Sequence, residues 1–146
     1  MDIYSLLKED HKKVKGLFRK AEATTERASK TRTDLFQKIK TELDAHTKVE
    51  ETLFYPKLET EEETRELTLE AYEEHKVVKD LLAEIDGTPV ESELWSAKMK
   101  VLIEMVEHHA EEEESDLFPA AKKVLDGDEA EEMANQATTL KRDMSP

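Results

Sequence analysis

His46-Thr47-Lys48-Val49-Glu50-Glu51-Thr52-Leu53-Phe54-Tyr55-Pro56 returns 63 residues later as His109-Ala110-Glu111-Glu112-Glu113-Glu114-Ser115-Asp116-Leu117-Phe118-Pro119. Each stretch reads His-x-x-x-Glu and closes on an apolar residue, an aromatic and proline. Upstream, His11-Lys12-Lys13-Val14-Lys15-Gly16-Leu17 pairs in the same way with His75-Lys76-Val77-Val78-Lys79-Asp80-Leu81. The chain is therefore written twice, and each copy holds a histidine, about 35 residues, and then the histidine-glutamate pair. A repeat that preserves metal-ligating side chains points to a two-metal site made of two half-sites.

Composition narrows the class. At 146 residues the chain has the length of one domain able to bury a core. Charged residues make up 40%, with only 3 Gly and 4 Pro, which leaves little material for sheet turns and favours helices. The 36 acidic residues against 22 basic ones give a net charge of −14, which repels phosphate backbones and anionic lipid. Nucleic acid and membrane are not expected as partners. With no cysteine there is no disulfide, thiolate metal site or thiol nucleophile. No run of about 18 apolar residues could span a bilayer, and no signal-like segment is present, so the expected location is the cytoplasm.

Apolar residues recur at helical spacing. Leu7, His11, Val14 and Phe18 mark a first helix from about Ile3. Ile39, Leu43, His46, Glu50 and Leu53 mark a second. The third is expected to start near Thr60, where Thr60 and Glu63 have capping-box spacing, and it carries Ala71, His75, Val78, Leu82 and Ile85 on one stripe. Gly87 follows its end, with Thr88 read as the next N-cap, Pro89 as the first helical residue and Glu91 at the third position. The fourth helix places Trp95, Met99, Leu102, Val106, His109 and Glu113 in line, and Asp126-Gly127-Asp128 is read as its close. These features predict an all-α, up-down-up-down four-helix bundle over about residues 3–125, in one domain, with a short extra C-terminal helix at about 128–142 packed outside it.

All six repeated polar residues lie on those apolar stripes and point towards the bundle axis. Residues four apart share a helix face, so His46 with Glu50 and His109 with Glu113 each form a two-point clip. Carboxylate oxygens can bridge two ions, and a nitrogen-rich, thiolate-free set suits iron, manganese or zinc and leans to iron. His108 sits about 100° round the helix from His109, opposite Ala45 of the first copy, so His109 is the ligand chosen. Spacing selects Glu113 from the run Glu111 to Glu114. Glu51 and Glu114 occupy matched positions just after the clips, to be solvated or to support the ligands from behind. One histidine on an apolar face is ordinarily a core residue, but six polar residues on four stripes would each need a buried partner at about 1 to 3 kcal/mol apiece.

This doubled pattern resembles the hemerythrin-like (HHE, cation-binding) domains over roughly residues 3–125. The resemblance implies two iron ions, oxo- or hydroxo- and carboxylate-bridged, with His11 and His46 on one, His75 and His109 on the other, and Glu50 and Glu113 between them. It also marks a departure. Oxygen carriers of the family have a fifth histidine one turn from the third-helix histidine and an aspartate five residues after the fourth-helix histidine. Here Ala71 and Lys79 flank His75 by one turn, and the carboxylate comes four residues along. The chain is thus similar to the bacterial four-histidine, two-glutamate branch, which implies one open position on each iron.

The expected function is binding or reduction of a small oxidant, O2, H2O2 or NO, in oxidative or nitrosative stress, with an unspecified electron donor. An oxygen or iron sensor or store without turnover is the second reading, and a metal-free structural bundle the third. Tyr55, whose counterpart is Phe118, is a candidate extra ligand. An ideal helix turns it about 140° away from Glu50, but Pro56 clashes with the carbonyl four residues back and is expected to bend the helix and swing Tyr55 inward. Tyr4 and Tyr72 are the other phenols near the stripes.

Overall fold

The computed structural model describes residues 1–145 and contains helices and no strand among them. Four rods run up and down: α1 (Ile3–Glu22), α2 (Ser29–Val49), α4 (Glu62–Asp86) and α5 (Glu93–Glu112). Asp2 caps α1 by accepting from the Ser5 amide at 2.9 Å. α2 and α5 do not stop where their α-helical hydrogen bonding does. Each continues through one wide π turn, Glu50–Phe54 and Glu113–Leu117, into a short helix with the repeat proline as its second residue, α3 (Tyr55–Leu58) and α6 (Phe118–Ala121). Proline has no N–H to give and crowds the preceding turn, and widening that turn relieves both. The Tyr55 amide accordingly donates to the Glu50 carbonyl and the Phe118 amide to the Glu113 carbonyl, five residues back.

Two expected helix starts move. Because α3 carries the second rod on to Leu58, Thr60 lies in the closing turn and donates to the Lys57 carbonyl, and α4 begins at Glu62 behind Glu61 with no side-chain cap. The buried Thr64 hydroxyl ties the joint to the Leu58 carbonyl at 2.6 Å. Thr88 likewise bonds backwards, to the Glu84 carbonyl at 2.7 Å. Ser92 therefore caps α5 in its place, accepting from Leu94. Asp126 does not close the fourth rod. It opens α7 (Gly127–Met144) through a reciprocal capping box with Glu129.

α7 lies against the outside of the rods and buries Ala130, Ala134 and Ala137, whose small side chains allow close approach. The core is in two parts. At the end covered by α7, Ile3, Leu7, Val49, Phe54, Leu58, Leu117 and Phe118 pack together. At the other, Phe18, Phe36, Ile39, Leu43, Leu82, Trp95 and Leu102 do so. Between them lies a buried layer of polar residues. No described helix is long and apolar enough to cross a membrane.

Candidate metal centre

Each rod contributes to the polar layer, and the structure brings all six repeated residues together. Two overlapping groups form, His11, His46, Glu50 and Glu113, and Glu50, His75, His109 and Glu113, with the candidate donor atoms of each group within 4.8 Å of one another. The shared members are the two glutamates. Oε1 of Glu113 lies 3.1 Å from His11 Nε2 while its Oε2 lies 3.3 Å from His109 Nε2. Oε1 of Glu50 lies 3.1 Å from His46 Nε2 and 3.0 Å from His75 Nε2.

Those last contacts are not hydrogen bonds. Glu50 is 0% exposed, yet neither of its oxygens has a hydrogen-bond partner, and the same holds for His46 Nε2. A buried carboxylate abandoned in this way would cost several kcal/mol. Donor atoms about 3 Å apart that do not bond to each other have the separation of neighbouring ligands around one ion, since bonds of ~2.1 Å at right angles span ~3.0 Å. The donor set fits a cation.

The outer face of every imidazole is engaged by a carboxylate. His11 Nδ1 meets Glu114 at 2.7 Å, His46 Nδ1 meets Asp10 at 2.9 Å, His75 Nδ1 meets Glu51 at 2.7 Å and His109 Nδ1 meets Glu74 at 2.6 Å. An Nδ1–H donated outward leaves the Nε2 lone pair pointing in, which is the tautomer a metal needs. The pairing follows the repeat. Asp10 and Glu74 each precede a ligand-type histidine and serve the other histidine of their own copy, whereas Glu51 and Glu114 each follow a clip and cross to the opposite copy. Sequence reasoning passed over Asp10 and Glu74, although an acid directly before the first histidine of both copies was the available signal. Lys141 of α7 pairs with Asp10, a contact for which Glu74 has no cationic equivalent from α7.

Electrostatics express the same demand for positive charge. Burial opposes protonation of His46, but Glu50, Asp10 and Glu113 outweigh it and push its pKa up to about 10. His109 is also raised well above the usual range, against burial, by Glu113, Glu74 and Glu50. Burial would raise Glu113, yet His109 and His11 beside it hold it well below the usual carboxylate range. Where six carboxylates crowd four histidines, protons are retained unless metal replaces them.

His108 is turned outward, two-thirds exposed, beside Glu112 at 3.1 Å. Tyr55 is fully buried with its hydroxyl inside the layer, donating to Glu113 and lying 3.3 Å from His75 Nε2 and 3.4 Å from His109 Nε2. The π turn places it there, because a wider turn brings residues five apart, Glu50 and Tyr55, onto one face. Burial, then Glu113 and Glu50, raises its pKa well above the ordinary phenol value. Phe118 takes the matching place in the other half, stacked on His11 with ring centroids 6.4 Å apart. Tyr4 packs edge-on against Phe54 and Phe118, and Tyr72 against Tyr55.

Comparison with known proteins agrees with this geometry. Residues 2–121 match the hemerythrin HHE cation binding domain. The uncharacterized protein Rv2633c of Mycobacterium tuberculosis is 35% identical over 125 residues, covering 85% of this chain and 74% of that protein. A protein described as a DNA nickase from a Nostoc species is 28% identical over 144 residues, 97% of this chain but only 39% of its own length. The crystal structure of an HHE cation binding domain-containing protein, the Rv2633c homolog of Mycobacterium kansasii, superposes with a TM-score of 0.87 at 31% identity, covering 99% of this chain and 87% of that one.

Proposed function

The chain belongs to the hemerythrin HHE cation-binding family, and from that premise we propose that it holds two iron ions and binds or reduces a small oxidant. The observation that carries the reading is the Glu50 carboxylate, fully buried, without a hydrogen-bond partner, and 3.0 to 3.1 Å from histidine nitrogens of both half-sites. His11 and His46 hold one ion, His75 and His109 the other, and Glu50 and Glu113 are shared. The iron pair supplies one-electron steps at each ion and a Lewis-acidic position for an oxygen or nitrogen atom.

The chain's own groups do the rest. Asp10, Glu51, Glu74 and Glu114 fix the four imidazoles in one tautomer and make them stronger donors. Tyr55 enters only the half that contains His75 and His109, either as a hydrogen-bond donor to Glu113 or as a phenolate, and so makes the two half-sites unequal. Apolar clusters close the layer from either end of the bundle and leave access to it from the side. All four histidines line one cavity that opens to the surface, which makes that side of the layer the approach for an oxidant.

Anaerobic reconstitution with ferrous iron, followed by O2, H2O2 and NO added separately while the visible spectrum is recorded, tests the reading. Binding of about two irons per chain and spectral change with at least one oxidant are expected. A stable, reversible O2 adduct without peroxide consumption would move the function to carriage or sensing. Absence of iron binding would overturn it.

A further inference from the structure

The layer opens, between α1 and α5, into a cavity of about 570 Å³ that touches all four histidines. Its inner wall is apolar, built from Val14 and Phe18 of α1, Leu43 of α2, Val78 of α4 and Val106 of α5. At its mouth stand Lys12 and Lys15 against Glu107, Glu111 and Glu114.

This space does not match O2, H2O2 or NO. A water molecule takes up about 30 Å³ in the liquid, and a diatomic or hydrogen peroxide is only slightly larger. Cavities of roughly 300 to 1,000 Å³ belong to organic ligands. A site meant for hydrogen peroxide alone also gains nothing from a valine, leucine and phenylalanine wall that offers it no hydrogen bond. Two lysines facing three glutamates leave the mouth without a positive field, and the chain's net charge of −14 further disfavours an anionic headgroup. The occupant that fits is neutral, has an apolar body, and carries its reactive group at the end that meets the histidines.

We propose that this centre takes a neutral organic hydroperoxide, with its alkyl or aryl body against Val14, Phe18, Leu43, Val78 and Val106 and its O–O group at the histidine layer. The inference rests on the reading of the layer as a redox-active iron site. In the reaction, the hydroperoxide takes up two electrons, one from each of two ferrous ions that become ferric, and two protons from solvent at the mouth. The O–O bond breaks, two O–H bonds form, and the products are the alcohol and water.

The test separates binding from turnover. Cumyl alcohol, the redox-inert product of cumene hydroperoxide, is titrated calorimetrically into the wild-type protein and into V106W and V78F, which fill the cavity from a half-buried and a buried position. Saturable binding to the wild type, weakened at least tenfold in a variant that keeps its helical circular dichroism, is expected. In single-turnover oxidation of the ferrous protein, the concentration giving half-maximal rate should be lower for cumene hydroperoxide than for H2O2, and V106W should shift the ratio of the two at least tenfold against the organic substrate. Oxidation by H2O2 without cumyl alcohol binding, or equal effects of V106W on both peroxides, would overturn the inference and leave the iron reading intact. No oxidation by either peroxide would defeat the redox reading itself.

Discussion

Replacing Tyr55 with phenylalanine removes one oxygen atom from the centre and leaves the packing unchanged, so its effect can be worked from the contacts. The ring is fully buried, and its hydroxyl donates to the ionised Glu113 and sits 3.3 and 3.4 Å from the Nε2 atoms of His75 and His109. A hydrogen bond to a charged group is worth about 1.5 to 3 kcal/mol. For a domain of this size that is a fall of roughly 3 to 12 °C in the melting temperature of the chelated protein. The raised Tyr55 pKa means that the group is a neutral phenol until a ferric ion displaces its proton. The chelated wild type should therefore be colourless, the ferric wild type should show an intense visible phenolate band, and the ferric Tyr55→Phe protein should lack that band and hold the iron of the His75 and His109 half more weakly. Differential scanning calorimetry, visible absorption and competition against a chelator read the three effects. A variant with wild-type melting, colour and iron affinity would refute the placement of this hydroxyl at the metal.

Other outcomes follow from the same geometry. His109→Ala or Glu113→Ala should lower bound iron below about two per chain, measured by elemental analysis, while His108→Ala, two-thirds exposed, should not; iron loss confined to His108→Ala would mean that the wrong neighbour had been chosen. Asp10→Asn and Glu74→Gln should each weaken iron binding about 10- to 100-fold in chelator competition, because each carboxylate orients an imidazole from behind; unchanged affinity in both would show these contacts to be incidental. In the metal-free protein His46 has a folded pKa of about 10 against 6.5 unfolded, so its contribution to stability is complete below about pH 6.5 and is lost as the pH rises towards 10. Glu113, held below the usual carboxylate range, contributes above its unfolded pKa and loses that contribution as the pH falls. The chelated protein should thus melt lower at pH 10 than at pH 6.5, and iron, by taking the place of the His46 proton, should flatten that slope. A chelated protein with no change in melting over this range would contradict the coupling.

The sequence by itself determined the bundle and the composition of the layer. Helical spacing is a local property, and a stripe such as Leu7, His11, Val14 and Phe18 assigns its histidine to the interior whatever the neighbouring rods do. The repeat then selects His109 over His108 and Glu113 over Glu111, Glu112 and Glu114 without any coordinates. Helix starts were less legible, because Thr60 and Thr88 are equally able to cap forwards or bond backwards, and the carbonyls left at the end of the preceding helix decided between these. Only the tertiary structure settled which carboxylate stands behind which histidine. Asp10 reaches His46 and Glu114 reaches His11 across gaps between rods, and such distances depend on how helices pack rather than on spacing along one of them. Lys141 illustrates the same limit, since nothing along α7 indicates that its ammonium will meet Asp10. Tyr55 lies between the two cases. Pro56 announced a disturbance of the helix, but whether it would appear as a kink or as a π turn depended on the packing around it. The π turn, by adding a residue to one turn, is what carried the hydroxyl from the flank of the rod into its centre.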